Sequence, residues 1–197
     1  MLNQSTQSAI KLNLSDQQRL DLIAAVFSIQ FLKSENTQLI GGAIEPLYTP
    51  SSNNEEPHQL FFRENFLSSA LHEIAHWCIA GKQRRLQQDF GYWYQPDGRT
   101  IDEQARFESM EVKPQALEWI FSNACGQKFT PSADNLNVSD DIADDTAFKQ
   151  ALVQQARQWC DSQQLPPRGK IFIDALSKEF KTSDPYNLTY YQRIYLV

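Results

Sequence analysis

The chain has 197 residues, a formal net charge of -6 and an isoelectric point near 5.1. An acidic balance disfavours a protein that grips nucleic acid by neutralising phosphates, because that mode needs a dense basic surface, so no direct nucleic-acid partner is expected. A hydrophobic fraction of 41%, with 12 Phe, 7 Tyr and 4 Trp, is enough apolar bulk for one folded domain over residues 1–197 and argues against a disordered chain.

In chain order, the polar first dozen residues carry no pattern, and residues 1–14 are expected to be flexible. Ser15 and Asp16 then offer a cap for a helix whose apolar positions Leu20, Ile23, Ala24, Phe27 and Phe31 recur at helical spacing. Residues 38–44 and 59–63 read as short strands, separated by a stretch rich in Pro, Ser and Asn that reads as a loop. A helix is predicted over residues 65–80, closed by Gly81 in a left-handed cap. The aromatic run Phe90, Tyr92, Trp93 and Tyr94 leads into a Pro96-Asp97-Gly98 turn and reads as an extended segment closing over the site. From Asp102 to Cys125 the pattern is helical again, with Phe107, Met110, Leu117 and Phe121 as the apolar side, and Pro114 either kinks this helix or starts a second one. An acidic loop, residues 134–145, precedes two further helices over 146–160 and 170–180. The fold class expected from these elements is α+β, a small mixed sheet packed by several helices.

The cysteines Cys78, Cys125 and Cys160 are odd in number and widely spaced, which offers no disulfide framework and suits a reducing compartment. No apolar run approaches the roughly 18 residues of a membrane span and no leader pattern opens the chain, so a soluble cytoplasmic protein is expected. Lys82, Arg84 and Arg85, with Lys113 and Lys128, read as a solvated surface cluster rather than a binding patch.

The chemistry concentrates in His72-Glu73-Ile74-Ala75-His76, an HExxH pattern that holds two of the chain's three histidines. Residues four apart on a helix lie about 40° apart around the axis and about 6 Å apart along it, so both imidazoles can reach one ion. Leu67, Leu71, Ile74 and Cys78 form a separate apolar stripe that buries the helix while the histidine face looks into a cavity. His58, in the Pro-rich loop, is poorly placed as a third ligand, so a carboxylate is needed. Glu111 is preferred because it leads into the Pro114 turn much as the glutamate that begins the second ligand helix of HExxH proteins does. Glu108 is the alternative ligand or a group that orients a histidine N–H, and an acidic solvated face accounts for at least one of these glutamates and extends to Glu118. With zinc, such a site activates water with Glu73 as general base and gives hydrolysis. With Fe(II), the same triad leaves positions for substrate and dioxygen. A structural metal in an interaction module is a third reading, disfavoured because closed structural zinc sites take four protein ligands.

The string from Leu71 to Lys82, continued by residues 89–94, Pro96-Asp97-Gly98-Arg99, Phe107-Glu108 and Glu111 to Leu117, resembles the bacterial elongation factor P hydroxylase family. The resemblance spans about residues 40–136. It implies a non-haem iron, monooxygenase-type enzyme, with His72, His76 and Glu111 as ligands, that hydroxylates the β-lysylated lysine of elongation factor P and so supports translation. Glu73 would then shape the surroundings of the metal or steer protons. Gln95 departs from the family's pattern, where cysteine stands, and touches no expected ligand. Tyr94 and Asp97 are candidates for receiving the cationic arm, by cation–π contact and charge.

Overall fold

The computed structural model describes residues 14–53, 55–89, 100–132 and 146–196. Helix α1 spans Asp16–Phe31 and opens on a capping box, in which the Ser15 side chain accepts from the Gln18 N–H and Gln18 reaches back to the Ser15 N–H. Its Ile23, Phe27 and Phe31 are buried, as the helical spacing predicts.

Three strands follow among the described residues: β1 (Thr37–Ala43), β2 (Leu47–Thr49) and β3 (His58–Arg63), in the order β1-β3-β2. β1 runs parallel to β3, with Leu39 opposite Leu60, and β2 runs antiparallel to it, with Tyr48 opposite Leu60. The sheet is therefore mixed, as expected, but β2 lies inside the stretch that reads as a loop. Three residues between Pro46 and Pro50 are too few to display an alternating pattern. Their strand character comes from pairing with β3 and from burial of Tyr48.

β3 leads directly into α2 (Leu67–Ile79), which carries the HExxH residues. Leu67, Ala70, Leu71, Ile74, Ala75, Trp77 and Cys78 are all buried, and each large apolar side chain among them contributes about 1.5–3 kcal/mol by leaving water. The exit of α2 differs from the glycine cap expected. Gly81 is not at positive φ, and Ala80 takes an extended conformation (φ -57°, ψ 124°). The Arg168 guanidinium instead donates to the carbonyls of Trp77, Cys78 and Ala80 at 2.8, 3.2 and 2.6 Å. A fixed cation at a helix C-terminus satisfies orphan carbonyls and complements the dipole, so no left-handed residue is needed.

Helix α3 (Ile101–Cys125) runs unbroken through Pro114 and starts in a Thr100–Glu103 capping box. It ends at Gly126, whose φ of 71° is the left-handed cap that α2 lacks. Residues from Pro114 to Ser122 are buried, whereas Met110, expected on the apolar side, is exposed. α4 (Thr146–Ser162) and α5 (Pro167–Phe180) complete the packing. The core joins helix to helix through aromatic edges: Trp77 of α2 lies 5.2 Å from Phe27 and 5.0 Å from Phe31, and Phe172 of α5 lies 5.0 Å from Phe121 of α3. All three cysteines are buried and free. Among the described residues no helix is long and apolar enough to cross a membrane. The acidic loop 134–145 lies outside the described residues.

Candidate metal centre

α2 and α3 pack so that the histidine face of one meets the glutamate face of the other. The Nε2 atoms of His72 and His76 lie 2.9 Å apart. Glu111 Oε2 is 3.5 Å from His72 Nε2, and its Oε1 is 3.3 Å from His76 Nε2. One donor atom from each of the three residues thus falls within 4.8 Å of the others. Bonds of about 2.1 Å would separate neighbouring donors by about 3.0 Å in an octahedral and about 3.4 Å in a tetrahedral arrangement, so the triad fits a divalent ion of either geometry. Were both Nε2 atoms unprotonated, their lone pairs would repel at 2.9 Å, and a proton or a metal ion between them relieves the contact. Donor set and spacing therefore suit a cation.

The supporting groups are equally ordered. Glu118 Oε2 sits 2.8 Å from His72 Nδ1, which fixes the tautomer that leaves Nε2 facing Glu111 and His76. Gln115 donates to Glu111 Oε2 at 3.2 Å and to the Ser132 carbonyl at 2.7 Å, and accepts from the Ser132 N–H at 3.0 Å. Glu111 is only 2% exposed and Glu118 7%. Burial works against a charged His72, but the hydrogen bond and charge of Glu118, with the charges of Glu111 and Glu73, override it and lift its pKa to about 10. Burial and the neighbouring His72 charge push His76 the other way. Burial opposes ionisation of Glu111, yet the hydrogen bond and charge of His76 and the charge of His72 hold its carboxyl below the usual range.

Glu73 stands apart from the triad. It is 9% exposed, and burial raises its pKa to about 7. With His76 it lines a cavity of about 260 Å³, walled also by Tyr48, Trp77, Arg84, Arg85 and Asp89.

The structure sorts the sequence candidates. His72, His76 and Glu111 come together. Glu108 does not join them, and its carboxylate accepts from the Gln104 side chain at 2.9 Å. His58 belongs to β3 rather than to the loop, accepts from the Ser51 N–H at 2.8 Å through Nδ1, and is no part of the cluster. Glu118, read as part of a solvated face, is a buried partner of His72. Its signal was the spacing Glu111, Gln115, Glu118, which puts all three on one helix face. Arg85, read within a solvated basic cluster, is half-buried and pairs with Glu35 at 2.8 Å. Tyr94, Gln95 and Asp97 lie outside the described residues.

Comparison with known proteins agrees with this geometry. Residues 26–191 match the family described as EpmC: Elongation factor P hydroxylase. A relative from Haemophilus influenzae named elongation factor P lysine hydroxylase is 44% identical over 172 residues, covering 87% of this chain and 95% of its own length. The chain belongs to the elongation factor P hydroxylase family.

Proposed function

We propose that the protein is a hydroxylase of elongation factor P, that its metal is Fe(II) held by His72, His76 and Glu111, and that its substrate is the lysine carrying a β-lysyl group. The observation that carries this reading is the convergence of two imidazoles and one carboxylate from two packed helices in a chain of that family. Iron bound by such a triad supplies dioxygen activation, because three protein ligands leave positions free for the reactants. The chain's own residues do the rest. Glu118 holds His72 in the ligating tautomer, Gln115 holds Glu111, and the cavity beside His76 offers room for an arm entering it. Tyr94 and Asp97 are proposed as further contacts to that arm. The whole chain is read as one catalytic domain, and a cytoplasmic address follows from a translation factor as substrate.

Zinc-dependent hydrolysis is a second reading, favoured by the placement of Glu73, a buried carboxyl beside His76 at the position of a general base. Tandem mass spectrometry of elongation factor P incubated aerobically with the protein separates the two. One added oxygen on the β-lysylated lysine is expected, whereas oxygen on an unmodified lysine would refute the substrate assignment. A hydrolysed bond without added oxygen would favour the zinc enzyme.

A further inference from the structure

The cavity beside the triad is lined by two carboxylates of very different standing. Asp89 is neutralised, because Arg84 grips it at 2.6 and 3.0 Å. Arg85, the other cation of the wall, is engaged by Glu35 at 2.8 Å. Glu73 has no hydrogen-bond or ion-pair partner among the described residues, although it is 9% exposed and lines the cavity. A carboxylate so little exposed and without a partner is costly to ionise, and it is relieved either by keeping its proton or by a cation that comes to meet it.

The charges of the centre point the same way. A divalent ion with neutral imidazoles is balanced by Glu111 and Glu118, which leaves Glu73 as the surplus negative charge. A monocation entering the cavity would pair with Glu73 directly. The walls suit an aliphatic arm with a charged end: the faces of Leu60 and Tyr48 are apolar, and the Tyr48 hydroxyl is already committed to the Arg85 carbonyl at 3.1 Å.

We propose that Glu73 is the receptor for a primary ammonium group of the modified lysine arm, so that its part is to select and position a cationic substrate rather than to act as a base. This rests on the hydroxylase reading. Because Glu73 and His76 line the same cavity, an arm whose ammonium meets Glu73 is held with its methylene carbons alongside the triad.

The test is a binding measurement on iron-loaded protein without oxygen, so that nothing turns over. The probes are a synthetic peptide bearing a β-lysyl-lysine and the same peptide with the arm's amines acetylated. Wild type should prefer the free amine by at least about tenfold, and Glu73→Gln should lose that preference while keeping its iron and its Tm. In turnover, the variant should raise KM far more than it lowers kcat. A Glu73→Gln protein that still discriminates, or a wild type that never does, overturns the proposal. If Glu73→Gln loses iron, Glu73→Asp decides, since it keeps the charge but draws it back by one methylene: weakened discrimination supports the proposal and unchanged discrimination overturns it. Wild type that adds oxygen to elongation factor P without discriminating the probes leaves the hydroxylase reading intact and removes only this one.

Discussion

Glu118 Oε2 and His72 Nδ1 lie 2.8 Å apart across the α2–α3 interface, seven residues along α3 from Glu111, whose Oε2 faces the other nitrogen of the same ring at 3.5 Å. The ring is therefore gripped at both ends by one helix, and its Nε2 has little freedom to turn away. Removing the grip should cost metal affinity rather than fold. Glu118→Ala is expected to weaken metal binding about 10–100-fold. Glu118→Gln, whose side-chain carbonyl still accepts from Nδ1–H, should lose much less. Competition titration with a chromophoric chelator measures both, and equal affinities in wild type and Glu118→Ala would refute the role.

Gln115 is a buried amide whose oxygen and nitrogen are both engaged, and it ties Glu111 to residue Ser132. Gln115→Ala leaves the Ser132 N–H and carbonyl without their amide partner, and a loss of about 1–3 kcal/mol is expected in denaturant unfolding. Metal affinity should fall as well, because Glu111 loses its lateral support. Gln115→Glu should disturb the site more than Gln115→Ala, by setting a second anion against Glu111.

Arg168 satisfies three carbonyls at the end of α2 and lies 4.6 Å from the centre of the Trp77 ring. Arg168→Ala is expected to lower stability by about 2–4 kcal/mol, and Arg168→Lys to recover only part of it, since an ammonium cannot reproduce the planar fork. Thermal or urea unfolding of the metal-free protein checks this without involving activity.

The protonation of the centre sets a pH dependence. In the metal-free protein His72 has a pKa of about 10 against an ordinary 6.5, and Glu73, through burial, about 7 against 4.5. For both groups the folded state holds its proton longer than the unfolded chain does, so both contributions to stability shrink as pH rises. The Glu73 contribution is complete below about pH 4.5 and lost through 7, and that of His72 is complete below about 6.5 and lost through 10. Metal-free protein should therefore melt at a falling temperature between pH 6 and pH 9, whereas metal affinity should climb over the same interval, because the ion displaces the His72 proton. Calorimetric unfolding and metal titration at several pH values measure the two trends, and a metal affinity independent of pH would contradict them.

How far the sequence reaches is visible residue by residue. His72 and His76 were legible because a four-residue spacing on an apolar helix has one geometric meaning, and the chain has few other histidines to confuse it. Glu111 was legible through the helix it sits on and the family pattern around it. Glu118 was not, because a glutamate at a helical position usually belongs to solvent, and only the packing of α2 turns that face inward. Gly81 misled for a related reason: a glycine after a helix suggests a local cap, whereas the carbonyls of α2 are capped by Arg168, 88 residues away from Ala80 along the chain. β2 is too short for its alternation to register, and only its register with β3 reveals it. Local signals predicted the elements well, and long-range partners decided their ends.

The measurement that bears most directly on the account is the intact mass of β-lysylated elongation factor P after aerobic incubation with three preparations: iron-loaded wild type, zinc-loaded wild type and His76→Ala treated with iron. A gain of about one oxygen atom with iron-loaded wild type alone is the result expected of a two-histidine, one-carboxylate iron site. The same gain from His76→Ala, or from the zinc-loaded protein, would contradict the assignment of the reaction to an iron ion held by His72, His76 and Glu111.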